Sequence, residues 1–315
     1  MKKISLFLVF LFLVVGTAGC GGYASMAQPG SGAQPTPTQT SQPVSISGTP
    51  VRIENEAKLV VPSQILEEVW QYMLERLVND KSFIQSLDPS LDSYWYDELF
   101  TDVYYDTPDL AMLGRQSSVR YRTRQNLTDP TQIKSGRELL QIKLSDIDSN
   151  TFNRGEIKYN IQIKWKKSDP DSLHPVLGLI NPSDRRNFKQ VMAQLNIDPY
   201  LLKRILVLNQ RRRSIYITHN GNAFISLRLD EVTSQMLWAK YSHDEIEPEL
   251  NEIPYTAANQ KTREYMQSIV DKIRDDIMQK FPEVKLDLTP KYNKAFNYFE
   301  SQIPYLRYLI KNNFF

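Results

Sequence analysis

The chain has 315 residues, 41% of them hydrophobic and 23% charged, which suits a globular protein of one large domain or two small ones. A formal net charge of +2 gives no overall field for nucleic acid, so any polyanion site must arise from local clustering. Three histidines and one cysteine exclude a zinc ribbon and a disulfide framework, and the single cysteine has a different use near the N-terminus.

Lys2 and Lys3 precede an apolar run, Ile4 to Val15, broken only by Ser5. The run is short for a membrane span and right for a signal peptide. Gly16-Thr17-Ala18-Gly19-Cys20 then resembles a lipobox, with Thr17 where leucine is usual. Residues 1–19 are therefore expected to be a lipoprotein signal and Cys20 the lipidated first residue. That would tether the protein outside the cytoplasm of a bacterium, on the periplasmic side of a membrane or at the cell surface. Residues 21–50 carry no charge and are rich in Pro, Gly, Ser, Thr and Gln, the composition of a linker that cannot bury a core. As a coil, the stretch 20–50 would span roughly 30 Å.

The folded part is expected over residues 51–288, with a C-terminal aromatic and basic tail over 289–315. It opens on Arg52-Ile53-Glu54-Asn55-Glu56-Ala57-Lys58-Leu59-Val60-Val61. Period-two spacing puts Glu54, Glu56 and Lys58 on one face of a strand and Ile53, Ala57 and Leu59 on the other. Two carboxylates and an ammonium on an inward face suit a cavity that holds cations and an anion. On an edge strand they would simply be solvated. A helix capped by Ser63 follows, with Leu66, Val69, Trp70, Met73, Leu74 and Leu77 as its apolar stripe. Residues 80–99 show no clear period.

Strands are then expected at 101–107 and at 119–125, where Arg120, Arg122 and Arg124 share a face. The next are 139–145, where Gln141 and Lys143 oppose Leu140, Ile142 and Leu144, and 154–164, where Arg154, Glu156 and Lys158 oppose Ile157, Tyr159 and Ile161. Residues 171–208 read as helical, broken at Pro175, Pro182 and Pro199. Strands resume at 210–218, with Arg211 and Arg213 on one face, and turn at Asn220-Gly221-Asn222. They return over 223–232, with Arg228 and Asp230 opposite Ile225, Leu227 and Leu229. In the strand 244–250, Glu245, Glu247 and Glu249 share a face and Pro248 marks an edge or an end. A helix over 259–281 precedes the tail, which is expected to pack outside the sheet.

About eight strands thus pair one polar, often charged face with one apolar face, the inverse of an ordinary small barrel. An α+β fold accounts for this: an eight-stranded antiparallel β-barrel, or tunnel, with a charged interior and helices packed outside. An open sheet with a solvated charged face is the alternative.

The order of these pieces resembles the CYTH family, the triphosphate tunnel metalloenzymes. Glu54, Glu56 and Lys58 match its opening Glu-x-Glu-x-Lys strand. Tyr104, Asp106 and Thr107 match a Tyr-x-Asp-Thr strand, Leu113, Arg120 and Arg122 an Arg-x-Arg strand, and Lys143 a lysine strand. Arg154 and Glu156 match Arg-x-Glu-x-Glu, from which Lys158 departs. Arg211 and Arg213, Leu229-Asp230, the glutamates of 245–249 and Lys291-Tyr292 follow in order. The resemblance implies metal-dependent hydrolysis of a triphosphate-containing substrate, inorganic tripolyphosphate or polyphosphate above others, with Glu54, Glu56 and Lys58 at the catalytic centre. Phosphate would be held by Lys58, Arg120, Arg122, Lys143, Arg154, Arg211 and Arg213, since arginine forks suit phosphate oxygens. Mg²⁺ or Mn²⁺ would be held by Glu54, Glu56, Glu156 and one of Glu247 and Glu249, which share a face and cannot be separated by register. Adenylate cyclase, thiamine triphosphatase or a non-catalytic polyphosphate-binding lipoprotein are the alternatives. No nucleic acid partner is expected.

Overall fold

The computed structural model describes residues 46–127, 138–145, 152–161 and 169–314. The signal sequence, Cys20 and nearly all of the linker lie outside the described residues. Ten strands are found among them: β1 (Arg52–Asn55), β2 (Leu59–Val60), β3 (Leu91–Asp106), β4 (Ser118–Asn126), β5 (Leu139–Leu144), β6 (Asn153–Asn160), β7 (Lys203–His219), β8 (Asn222–Met236), β9 (Ala239–Leu250) and β10 (Lys285–Leu286). All pair antiparallel in one sheet of order β1-β6-β5-β4-β3-β7-β8-β9-β2-β10.

β1 and β2 belong to a single stretch of chain and sit near opposite ends of that order. Glu54 pairs with Arg154 on β6, Glu56 bridges to Glu249, and Leu59 pairs with Ile246 on β9. Residues 52–60 therefore curl the sheet onto itself. The ladder lapses between β1 and β2 opposite Pro248. Ala57 N donates to Pro248 O at 2.9 Å, but a proline has no N–H to return.

Helices cover the outer faces. α1 (Leu66–Leu74) and α6 (Gln260–Lys280) share a core with Ile215, Ile217, Leu227, Leu229 and Ile246, the outward residues of β7, β8 and β9. Between α1 and β3 stands the short α2 (Ser82–Leu87). The turn after β3 holds α3 (Ala111–Gly114). A second core joins α4 (Arg185–Gln194) to Val119, Leu140, Ile142, Ile157 and Tyr159. α5 (Glu252–Ala257) lies against β1, with Thr256 Oγ1 accepting from Ile53 N at 3.1 Å. α6 opens on Asn259, whose side chain accepts from Thr262 N. Asn220 and Gly221 form a two-residue hairpin at φ 50° and 75°, the left-handed pair a type I′ turn requires.

Four expectations need correction. Ser63 is not a helix cap: it begins a short 3₁₀ turn, and its hydroxyl donates to Asp244 at 2.6 Å. The strand expected at 101 begins at Leu91, because Tyr94, Trp95 and Tyr96 give its first half apolar character on both faces and so no alternation. β7 begins at Lys203 rather than 210. Ile205-Leu206-Val207-Leu208 is apolar on both faces and loses the period-two signal.

The fourth correction concerns the C-terminal segment, which forms α7 (Lys291–Gln302) and α8 (Leu306–Lys311). Their Tyr292, Phe296, Phe299, Leu306 and Ile310 pack on Tyr104, Leu206, Leu208, Val232 and Tyr241. Leu206 and Leu208 are in phase with Gln210 and Arg212, and Val232 is in phase with Asp230, so these helices fill one end of the sheet's inner face. Phe299→Ala should therefore cost about 3–5 kcal/mol, as for a fully buried core phenylalanine. Urea denaturation measures it, and a loss below ~1 kcal/mol would return the tail to the periphery.

Candidate active site in the tunnel

The inner face is built by strand parity, and beyond the end filled by α7 and α8 its middle is dense in charge. On the first strand, Glu54 Oε2 accepts from Lys143 Nζ at 2.6 Å, and Glu56 Oε1 lies 2.7 Å from Lys58 Nζ. Lys58 also donates to Glu247 Oε1 at 2.6 Å. Asp102 on β3 organises the arginines of β4: Arg122 grips it with a two-pronged pair at 2.6 and 2.6 Å, Arg120 reaches it at 3.2 Å, and Gln210 donates from β7. Gln141 accepts from Arg120 at 2.6 Å and donates to Glu156 at 2.6 Å. The Phe100 ring lies under the guanidiniums of Arg122 at 4.4 Å and Arg124 at 4.8 Å.

Lys58, Arg120, Lys143 and Arg154 line one small cavity of about 30 Å³, together with Glu56 and Glu247. Arg154 donates to Gln116 O at 2.7 Å at the cavity's rim. Arg122 stands deeper, spent on Asp102. Lys158, the departure from the family pattern, pairs with Glu156 at 2.7 Å and with Glu252 at 2.7 Å.

Arg211 and Arg213 do not enter the tunnel. They are in phase with Ile215 and Ile217 and lie on the outer face. Arg211 pairs with Asp97 at 2.8 Å, while Arg213 pairs with Glu67 at 2.7 Å and lies over the Trp70 ring. The inward cation of β7 is Arg212, which binds Asp230 through two nitrogens and Glu247 at 2.7 Å. The sequence carries the signal: Arg212 shares its parity with Gln210 and Ser214, whereas Arg211 and Arg213 share theirs with two isoleucines.

The carboxylates fall into two groups whose oxygens lie within 4.8 Å of one another: Glu54, Glu56 and Glu249; and Asp230, Glu245 and Glu247. In the first, Glu56 Oε2 is buried without a hydrogen-bond partner, and Lys143 Nζ is 4.0 Å away. A buried carboxylate oxygen facing two other carboxylates fits a divalent cation with oxygen ligands. The second group already surrounds an ammonium. Lys291 Nζ lies 3.0 Å from Glu245 and 2.9 Å from Glu247 and pairs with Asp230, while Lys294 reaches Glu245 at 2.8 Å. One ammonium contacts all three carboxylates and occupies the space a metal would take, whereas Lys143, Lys58 and Arg228 each pair closely with a single carboxylate of the first group. Glu247 thus belongs with Lys291, and Glu249 is the late acid beside Glu54 and Glu56. Glu156 stands apart from both groups, accepting from Gln141 and paired with Lys158.

These contacts set the ionisation states. Burial pushes the Glu54 carboxyl up, but the Lys143 ammonium more than offsets it and the carboxyl sits below its ordinary value. Glu247 is likewise opposed by burial and held far down by Lys291, Lys58 and Arg212. Asp102 is lowered by Arg120 and Arg122 against its own burial. Burial draws Lys143 below the usual lysine range despite Glu54, whereas Glu247 and Glu56 overcome burial and raise Lys58. Burial lowers Arg124 to about 10.

The fold and this interior define a curled antiparallel tunnel lined by carboxylates and bases. The chain matches the CYTH domain over residues 77–275, more than half of its length, and it belongs to the CYTH family. No curated protein matches it. Among solved structures, it is similar to a Hippeastrum protein named as a candidate adenylyl cyclase with a dominant triphosphatase activity, at 16% identity and TM-score 0.45 over 81% of this chain and 98% of that one. It is similar to a protein of Pyrococcus horikoshii at 17% identity and TM-score 0.41, over 78% and 98%. Similarity to the RNA triphosphatase Pct1 of S. pombe is 13% identity at TM-score 0.34, over 76% and 86%.

Two outcomes check this geometry. Arg212→Met should destabilise by about 3–5 kcal/mol, because it strands Asp230 and Glu247 in the interior. Arg211→Met, at a surface pair, should cost at most ~1 kcal/mol; equal losses in urea melts would overturn the parity assignment. The lowered carboxyls of Asp102, Glu54 and Glu247 contribute stability present above the unfolded carboxylate value near ~4. That stability is lost as pH falls through their lower folded values, so acid titration of the fold should show a decline beginning below about pH 4.

Proposed function

We propose that the protein hydrolyses a phosphoric anhydride bond of a triphosphate-containing substrate, with inorganic tripolyphosphate as the minimal substrate and a divalent cation, Mg²⁺ or Mn²⁺, as cofactor. The observation that carries this is the Glu54–Glu56–Glu249 carboxylate group, in which Glu56 Oε2 accepts no hydrogen bond, set beside the cavity lined by Lys58, Arg120, Lys143 and Arg154. A triphosphate needs several buried cations, and these four reach the same space from three sheet strands and the first-strand segment. Arg120 is aimed by Asp102 and Gln141, so its orientation is fixed before an anion arrives. Lys58 links the two carboxylate groups, touching Glu56 on one side and Glu247 on the other. An entering phosphate competes with both for the ammonium. Glu54, Glu56 and Glu249 would hold the cation, which when bound neutralises phosphoryl charge and activates water. The rest of the tunnel excludes bulk water and keeps Lys58 and Arg120 charged around the transferring group.

Phosphate release from tripolyphosphate, ATP and long polyphosphate, with Mg²⁺ or Mn²⁺ and with chelator, tests this reading. Glu56→Gln should nearly abolish turnover with partial rescue at high metal, while Lys58→Ala should weaken triphosphate binding by about 1.5–3 kcal/mol. Undiminished turnover in chelator, or in Glu56→Gln, would remove the metal site. A non-catalytic polyphosphate-binding role draws on Lys58 being tied between two carboxylates, and binding without any phosphate release would favour it.

We further propose a lipid anchor at Cys20, from the signal-like residues 1–19 and the charge-free linker. Cys20→Ser should release the protein from the membrane fraction or stall its processing; a processed Cys20→Ser form that stays membrane-bound would defeat the anchor.

A further inference from the structure

The outer side of the sheet carries a charged hollow that the tunnel does not use. It lies along α4 and has a volume of about 600 Å³, inside the range of roughly 300–1,000 Å³ for small-molecule sites. Arg185 and Lys189, four residues apart, share one face of the helix, with Arg186 and Gln190 one position further round. Asp169 and Asp171 complete the charged lining. α4 packs through Phe188, Val191 and Met192 in one core with Val119, Leu140 and Ile142, which point away from the tunnel. The sheet therefore separates the hollow from Lys58 and from both carboxylate groups.

Two of the three cations are fixed by the two acids. Arg185 is only 4% exposed; its Nη1 donates to Asp169 and its Nε to Ile180 O at 3.2 Å. Lys189 donates to Asp171 at 2.6 Å and to the Tyr200 hydroxyl at 2.7 Å. These bonds hold the side chains without using all their donors, because Arg185 Nη2 is buried with no hydrogen-bond partner. A buried donor left unmet is costly, and an acceptor brought by a ligand would relieve it. Arg186 is exposed and makes no ion pair among the described residues, so one positive charge of the hollow is unmatched. The Gln190 amide adds uncharged donors. We infer that this hollow is a second anion site, outside the tunnel, for a single phosphoryl group: orthophosphate or a phosphate monoester. Arg186 supplies the fork that grips two phosphate oxygens, with Arg185 Nη2 and Gln190 as further donors. Asp169 and Asp171 set the limit on charge, since a longer phosphate chain brings more than one unmatched guanidinium offsets. The site stands independently of the function proposed for the tunnel.

Calorimetric titration of the full chain with orthophosphate tests the site, with Lys58→Ala used to weaken the tunnel's own hold on phosphate. One binding event should persist in Lys58→Ala. Adding Arg186→Ala should weaken that event roughly tenfold, the loss expected for one charge-assisted contact. Gln190→Glu, which sets a third carboxylate in the hollow, should weaken it likewise. Both positions are exposed, so neither change threatens the fold. If Lys58→Ala does not fold, the stoichiometry of the otherwise unaltered chain serves, and either substitution should lower it by one phosphate. Competition by glycerol phosphate upholds the site for a free ligand. Competition confined to vesicles bearing phosphatidic acid upholds it for a lipid headgroup. Absence of orthophosphate binding outside the tunnel, or affinity that stays within twofold when Arg186 and Gln190 are changed, overturns the site and leaves the tunnel reading as it was.

Discussion

The first strand carries two carboxylates and an ammonium into an interior where a lone charge costs several kcal/mol, so every ion there must be matched by another from a different strand. That requirement organises the molecule. Glu54 needs Lys143 from β5, Lys58 needs Glu247 from β9, and Arg120 and Arg122 need Asp102 from β3. Each match crosses the tunnel or a strand boundary, and each tolerates only one register. A one-residue slip of any strand would send its charges into an apolar core and its leucines into the ion network.

The same matching separates two carboxylate clusters of similar composition. Around Asp230, Glu245 and Glu247 the positive charge is supplied by the protein itself, through Lys291, Lys294 and Arg212. Around Glu54, Glu56 and Glu249 the cations Lys143, Lys58 and Arg228 each pair closely with one carboxylate, none lies among all three, and Glu56 Oε2 accepts no hydrogen bond. A carboxylate oxygen that accepts no hydrogen bond and faces two other carboxylates is a place where a ligand's charge can enter.

Much of this was legible in the sequence because a strand with one charged and one apolar face prints a period of two. Glu54, Glu56 and Lys58, Arg120 and Arg122, Lys143, and Glu245, Glu247 and Glu249 could be placed on inward faces from that period alone. It failed where its premise failed. Arg211-Arg212-Arg213 is charged on both faces, and only the continuation to Ile215 and Ile217 shows which arginine turns inward. Tyr94-Trp95-Tyr96 and Ile205-Leu206-Val207-Leu208 are apolar on both faces and hid the starts of two long strands. Asp102, Gln141 and Gln210 act by orienting other residues across strands, and no spacing within a single strand reports such a role. The aromatic tail looked peripheral because its helices fill the inner face of the sheet beyond the charged zone, a use of that face that charge alternation does not announce.

Lys291 enters the tunnel from a helix that follows every strand in the chain, and the closing segment 52–60 must find partners on β9, near residue 246. Neither the seam nor the charge balance can be completed until the C-terminal part of the domain is available. A chain emerging N-terminus first would hold its early acidic and basic strands without their partners, an arrangement of high contact order that delays folding. The late-arriving Lys291 then sets the moment of closure: until α7 is available, Asp230, Glu245 and Glu247 lack the ammonium that lies among them.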